Sequence, residues 1–321
     1  MGKRKVVALF TVLIFIIMFS AGCGGDATVI SRVNGEKILQ SDLDDKIAQI
    51  KSGLTSQGYT FQGGEQDKEI LEQIATEAMN QLTEEALLMQ QASEAGVSVE
   101  DSAVKEQLNL IKQQYGADVF EQLLSQQQLT EAKLSEMLKV QLTKQALFEK
   151  LTADISVDEK AAKAAYTADP KKYEEIQVAH ILVAADASAT EDQVKAAQKK
   201  AEGVIAKLKA GEDFAALCKT NSDDPQTAET GGVLDTFFTR EDTSLVKEFV
   251  DGAFKVGEGQ FSQQPVRTEY GFHIIKVLEK KDSFAELKDA IQGKLLSDKK
   301  NEAFNKYFND AKSKAKIEDL R

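Results

Sequence analysis

Apolar positions recur every three or four residues along much of this 321-residue chain. That spacing lays one apolar stripe along a helix. Ile70, Ile74, Ala78 and Leu82 make such a stripe, and the helical pattern runs from Asp67 to about Leu151. Gly96 breaks it, Ser98 is placed to cap the next helix, and later helices carry Leu108, Ile111 and Tyr115, then Leu134, Leu138 and Leu142. Upstream, "VISRVNGEKIL" reads as two short strands about Asn34-Gly35, a dipeptide suited to a two-residue hairpin. Ser41 starts a helix, and the Gly-rich "SQGYTFQGG" is a loop. "SVDE" at 156–159 has the form of a capping box, with Ser156 capping and Glu159 reaching back. Pro170 in "ADPKKY" marks the end of that helix.

The texture changes over 174–280, where strand-like runs alternate with helices. After Lys281 it changes back. "SFAE" at 283–286 is a second capping box, and Phe284, Leu287, Ile291 and Leu295 continue as a stripe that Phe304 and Phe308 extend. A helix this amphipathic must bury its face. The expectation is that it returns to the N-terminal helices, which makes the middle of the chain an insertion; domain termini often lie close enough for this. The fold class is therefore α+β. Residues 1–22 form a leader and 23–168 an N-terminal helical domain. Residues 174–280 form an inserted α/β domain with a small, mostly antiparallel sheet, and 282–321 a returning C-terminal helix.

The chain has two histidines, and both stand in apolar runs: His180 in "IQVAHILVAA" and His273 in "YGFHIIKV". Strand alternation groups His180 with Val178 and Leu182, and His273 with Ile275 and Val277. A neutral imidazole has one donor and one acceptor, and leaving either buried and unpaired costs about 1–3 kcal/mol. Two such placements suggest that the rings satisfy each other.

Charge and the N-terminus narrow the reading. A net charge of −12 argues against nucleic acid as a partner, since phosphates need clustered Lys and Arg. Lys3, Arg4 and Lys5 precede an apolar stretch, Val6 to Phe19, that is shorter than the roughly 20 residues a spanning helix needs. The following "SAGC" resembles a bacterial lipobox, which implies cleavage before Cys23 and lipid attachment to its thiol. Ser20 departs from that pattern, which usually has Leu. Only Cys218 then remains in the mature chain, so no intramolecular disulfide forms. Its place in "FAALCKT" is that of a small apolar residue packed in a helix.

Four motifs in order, "VAHILV", "NSDDPQTAETGGVLDTF", "FVDGAF" and "YGFHIIKV", resemble parvulin-type peptidyl-prolyl isomerases, whose domain has an FKBP-like fold. The resemblance covers 174–280 continuously. With "VNGEKI", the helical region, the returning helix and the lipobox, the chain is similar to the PrsA-like foldase lipoproteins with their SurA-like chaperone region. The resemblance implies His180 and His273 as the paired active-site histidines and Asp224 as the acid beside them. It implies Leu234, Leu245 and Phe249 as the slot for the substrate proline, and Thr268 as a hydroxyl behind the histidines that orients them. Asp235 departs from a family Gly, and the "FTREDTS" loop is longer than usual. The implied activity is prolyl isomerisation with chaperone assistance to exported proteins. The implied partners are unfolded or newly exported polypeptides with X–Pro bonds and, through the lipid, a bacterial membrane on its extracytoplasmic side. A homodimer stays open.

Isomerisation breaks no bond, so it requires no nucleophile, cofactor or metal, and two histidines so far apart do not have zinc-ligand spacing. Gly231-Gly232 lacks the Lys-Ser/Thr of a phosphate loop. "AADASATED" after "HILV" has no basic cluster, which points to unphosphorylated substrates. A non-catalytic holdase with a parvulin-like binding domain remains the alternative; four ordered motifs disfavour a solute-binding lipoprotein.

Overall fold

The computed structural model describes residues 28–127 and 129–321. The leader and Cys23 lie outside them. The chain divides into two compact units. The first holds the described residues through Lys150 together with Tyr307–Arg321, and the second spans Leu151–Lys306.

The first unit begins with β1 (Val29–Val33) and β2 (Glu36–Leu39), paired antiparallel. Asn34 and Gly35 both have positive φ, 52° and 90°, which is the backbone a tight hairpin of this hand demands. Helices α1 (Gln40–Ser56), α2 (Glu65–Glu94), α3 (Asp101–Tyr115), α4 (Ala117–Gln126) and α5 (Glu131–Leu151) follow. The long helical stretch read from the sequence is thus cut into pieces. Gly96 and Gly116 supply the positive φ, 66° and 79°, at two of the breaks. Ile30, Val33, Leu43, Ala78 and Leu87 form one core with Phe308 and Ala311 packed against it. Val104, Leu108, Phe120, Leu124 and Leu138 form another among α3, α4 and α5. Tyr115, placed by its spacing on the apolar stripe, is exposed.

Two predicted caps move. Ser98 does not cap α3, whose N-cap is Glu100 with no side-chain bond. Ser156 does not cap α6 (Glu159–Ala168); Asp158 does, accepting from the Ala161 N–H at 2.8 Å. The helix begins at Glu159, so the capping position falls to Asp158, an acid equally suited to it; Gln292 donates to the Val157 carbonyl just ahead.

The second unit is built on an antiparallel sheet of order β3-β5-β4, with β3 at Glu175–Ala184, β4 at Val266–Thr268 and β5 at Gly271–Lys281. Its two faces are both covered. Ala179, Ile181, Val183, Phe272 and Ile274 pack against α7 (Glu191–Lys209) and α8 (Phe214–Asn221). Val178, Ile275 and Val277 pack with Phe238 and with Phe249 and Val250 of α9 (Lys247–Ala253). The free edge of β3 is closed by the segment after Gly232: the His180 N–H donates to the Gly232 carbonyl at 2.8 Å, and the Leu234 N–H to the Val178 carbonyl at 2.9 Å.

Helix α10 (Phe284–Lys314) starts at a true capping box, Ser283 with Glu286. Its apolar stripe serves two cores. Leu287 and Ile291 pack on Ala162 and Tyr173 in the second unit, whereas Phe308 and Ala311 belong to the first. A last strand, β6 (Ile317–Asp319), then adds to β1. No helix among the described residues is long and apolar enough to cross a membrane.

Gly232 has φ 84°, and a Cβ there would lie 2.1 Å from the His180 carbonyl oxygen. Gly232→Ala must therefore part β3 from its covering segment, at a cost of about 2 kcal/mol or more. The measurement is the denaturant midpoint at which buried Cys218 becomes reactive to a thiol reagent, and it should fall clearly below that of the parent chain.

Candidate active site

Strand register sets the geometry. His180 lies opposite Ile275, and His273 opposite Leu182, so the histidines are diagonal neighbours on one sheet face. Their Nδ1 atoms are 3.2 Å apart, and the rings are nearly parallel, 21° between planes and 5.4 Å between centroids. Each ring's other nitrogen also has a partner. His180 Nε2 is 3.1 Å from Asp224 Oδ2, and His273 Nε2 is 2.8 Å from Thr268 Oγ1. Both residues are buried.

These contacts admit one arrangement of protons. An ionised Asp224 can only accept, so His180 Nε2 carries the hydrogen. His180 Nδ1 is then the acceptor, and His273 Nδ1–H donates to it. That leaves His273 Nε2 to accept from the Thr268 hydroxyl. Thr268 Oγ1 in turn accepts from the Tyr270 N–H at 3.2 Å. Every group in the chain is satisfied with both imidazoles neutral.

The titration behaviour agrees. Burial, opposed by the Asp224 carboxylate, lowers the pKa of His180. Burial, with His180 and Arg267 nearby, pushes His273 down to about 3. Partial burial would raise Asp224, but the Thr227 hydroxyl, the Gln226 N–H and His180 outweigh it and hold the carboxyl below its usual value.

The loop bearing Asp224 is stitched to β3. The Asp223 N–H donates to the Leu182 carbonyl at 2.7 Å, Asp223 Oδ2 accepts from the Ala184 N–H, and Ser222 Oγ accepts from the Leu182 N–H. Asp223 is thus the structural acid of the pair, as its place in "SDDP" suggests. Cys218 is buried on α8, with Sγ 3.4 Å from the His180 carbonyl; burial raises its thiol pKa, which suits packing rather than nucleophilic attack.

Phe249 presents its ring edge-on to both imidazoles, with centroids 5.5 Å from His180 and 5.2 Å from His273. Leu234 and Leu245 pack against the same cluster. They line a cleft of about 300 Å³ with Thr227, Phe238, Asp235 and Asp242. The structure therefore brings His180, His273, Asp224 and Thr268 into one hydrogen-bonded chain, with Phe249 against it. Leu234 and Leu245 lie on the adjoining wall. Thr227, which touches both Asp224 and His180 Nε2, went unnoticed in the sequence, as did Phe238. A hydroxyl three residues after Asp224 in the "DPQT" turn was the available signal for Thr227. Arg240 ties the long "FTREDTS" loop down, donating to Glu174 at 2.6 Å with its guanidinium 4.2 Å over the Phe254 ring.

Both histidines are held neutral in the folded chain but take up protons near pH 6.5 when unfolded. Their contribution to stability is thus complete above about pH 6.5; that of His273 drains away as the pH falls toward about 3, and that of His180 is lost in the same direction. Asp224, depressed in the folded state, adds loss in the same direction at the acid end. The thermal midpoint of the second unit should fall across this window, and His273→Gln should flatten the slope. An unchanged slope in that variant would contradict the assignment.

A family model described as a PPIC-type PPIase domain matches residues 165–281, and one described as a SurA-like N-terminal domain matches residues 2–148. A foldase protein PrsA of Clostridium botulinum is 31% identical over 340 residues, covering 98% of this chain and 97% of the relative. Another, of Caldanaerobacter subterraneus subsp. tengcongensis, is 31% identical over 327 residues, covering 98% and 96%. A crystal structure of a peptidylprolyl isomerase (PrsA) from Bacillus anthracis is 26% identical and covers 74% of this chain and 96% of that one, with a TM-score of 0.38. With relatives matched almost end to end, this chain belongs to the PrsA foldase family, a parvulin-type peptidyl-prolyl isomerase domain carried with a SurA-like chaperone region.

Proposed function

We propose that isomerisation takes place at the His180–His273–Asp224 chain, with the proline ring held by Leu234, Leu245, Phe238 and Phe249. The observation that carries this is the run of hydrogen-bond contacts from Thr268 through His273 and His180 to Asp224, beside a cleft in which Leu234, Phe238 and Leu245 supply the apolar lining. Rotation about an X–Pro amide must cross roughly 20 kcal/mol because resonance keeps it planar. In the planar form the carbonyl oxygen carries the most negative charge. A carboxylate beside it disfavours that form and so favours the twisted one. The neutral histidines neither give nor take a proton. They fix Asp224, through His180 Nε2–H, where the carbonyl arrives.

Further parts of the proposal rest on sequence. The basic residues, the short apolar stretch and "SAGC" support export and a lipid anchor on Cys23, at the extracytoplasmic face of a bacterial membrane. The clients are unfolded or newly exported polypeptides with X–Pro bonds. The pairing of β6 with β1 supports assigning the chain's two ends to one helical chaperone domain, with the isomerase domain between them. Exposed Leu110, Tyr115, Val119 and Leu123 on α3 and α4 suit contact with unfolded clients. A homodimer would fit such a surface equally.

His180→Ala and Asp224→Ala should each lower kcat/KM for a short X–Pro peptide by about tenfold or more, equivalent to at least one unit of 1.4 kcal/mol in the barrier. Both chains should keep the parent circular dichroism spectrum. Wild-type rates in both would remove these residues from the reaction.

For the anchor, a radiolabelled fatty acid fed to expressing cells should mark the wild-type chain and leave Cys23→Ser unmarked. An unlabelled wild-type chain would exclude the lipoprotein reading.

A further inference from the structure

Two carboxylates on the cleft wall pair with no cation among the described residues. Asp235 and Asp242 line the same cleft as Leu234, Phe238 and Leu245. Asp242 Oδ1 accepts from the Ser244 N–H at 2.8 Å and its hydroxyl at 2.6 Å, a local turn that leaves its charge uncompensated. Asp235 is exposed and has no side-chain bond or ion pair among the described residues. The basic side chains nearby are engaged elsewhere. Arg240 is on Glu174 and Phe254, Lys172 pairs with Glu241, Lys281 sits over Phe237, and Lys247 pairs with Asp251. The wall that would receive a proline ring thus carries two carboxylates with which no described cation pairs.

We propose that Asp235 and Asp242 select substrates with a Lys or Arg side chain next to the proline, and reject acidic neighbours. This rests on the reading of the cleft as the proline slot. An extended chain advances about 3.3–3.6 Å per residue, so the residue flanking a seated proline comes to the rim where both carboxylates stand. A lysine or arginine stem can lie along Leu234 or Leu245 while its charged head stays in water beside an aspartate. A glutamate in the same place meets two like charges. Because the rim is wet, the preference is moderate and weakens with salt.

The test compares peptides that differ only in the residue preceding or following the proline: Lys, Ala or Glu. At low salt the ratio of kcat/KM for Lys over Glu should be about tenfold in the full chain, and it should shrink toward one at about 1 M salt, where screening acts within a few ångströms. Asp235→Asn combined with Asp242→Asn should collapse the ratio; asparagine keeps the acceptor that the 242–244 turn uses. Glu72→Gln combined with Glu77→Gln on α2 removes the same net charge far along the sequence and should leave the ratio intact, which separates a local effect from steering by the chain's overall charge. Equal rates for Lys and Glu in the parent, with the Ala peptide still turned over, would overturn the selectivity and leave the slot standing. A ratio that survives the double asparagine variant would overturn it too. Ala-peptide turnover at the full parent rate in Asp224→Ala would instead remove the reading of this site as the place of isomerisation, and this proposal with it. If the double asparagine variant fails to fold, Asp235→Asn and Asp242→Asn made singly decide: each should lower the ratio, and an unchanged ratio in both would overturn the proposal.

Discussion

The site depends on one hydrogen bond between two neutral imidazoles. His180 and His273 can meet nitrogen to nitrogen only if one ring carries its proton there and the other does not. The carboxylate at one end and the threonine hydroxyl at the other decide which. A proton added to either ring would put a cation inside an apolar cluster against the other ring, so burial and the pairing reinforce each other: the pKa of each ring is pulled down, and the lowered pKa keeps the bond in one direction. The polar chain from the Tyr270 N–H to Asp224 is therefore a fixed dipole array, not a proton relay.

That array is positioned by backbone. Antiparallel pairing of β3 with β5 makes the histidines diagonal neighbours, at a separation within reach of their rings. A register slip of one residue would turn each histidine to the opposite face, among Ile181, Val183 and Ile274, with no acid or hydroxyl in reach. The register is held from both edges. β4 pairs with β5 on one side and brings Thr268 with it. On the other, the segment after Gly232 closes β3 and carries Leu234 and Phe238 into the cleft wall. Gly232 permits the second of these approaches, and Gly271 lets β5 close on the end of β3: a Cβ at Gly271 would lie 2.2 Å from the Val183 carbonyl oxygen.

What could be read from the sequence followed what is local or periodic. Strand alternation placed both histidines with aliphatic neighbours on one face, and Asn34-Gly35 gave the hairpin. Ser283 with Glu286 gave the helix start, since a capping box involves four consecutive residues. Features that depend on distant partners were not visible. β6 is three residues long and largely exposed, so its pairing with β1 leaves no alternation to detect. The stripe of α10 is continuous in sequence, but packing divides it between two cores, and periodicity cannot say which residue faces which partner. Asp158 rather than Ser156 caps α6, later than the four-residue pattern suggests, and the partner of the turn ahead of it, Gln292, lies far along the chain. Thr227 was missed for a similar reason: its role exists only because the loop folds back to put its hydroxyl between Asp224 and His180.

The energetic demand of the reaction explains why so modest a constellation suffices. Twisting an amide forms and breaks no covalent bond, so the site needs only to prefer one geometry of its substrate over another. In the proposed mechanism, an apolar wall would fix the ring, and a charge held at one place would act on the carbonyl as conjugation is lost. Placing that charge demands rigidity more than reactivity. The carboxylate is held by the Thr227 hydroxyl, the Gln226 N–H and His180 at once, and His180 by His273 in turn. Such a site also makes little demand on substrate sequence beyond the proline, which suits a foldase that meets many chains. Whatever discrimination it has must come from the rim, where the lining departs from the apolar floor.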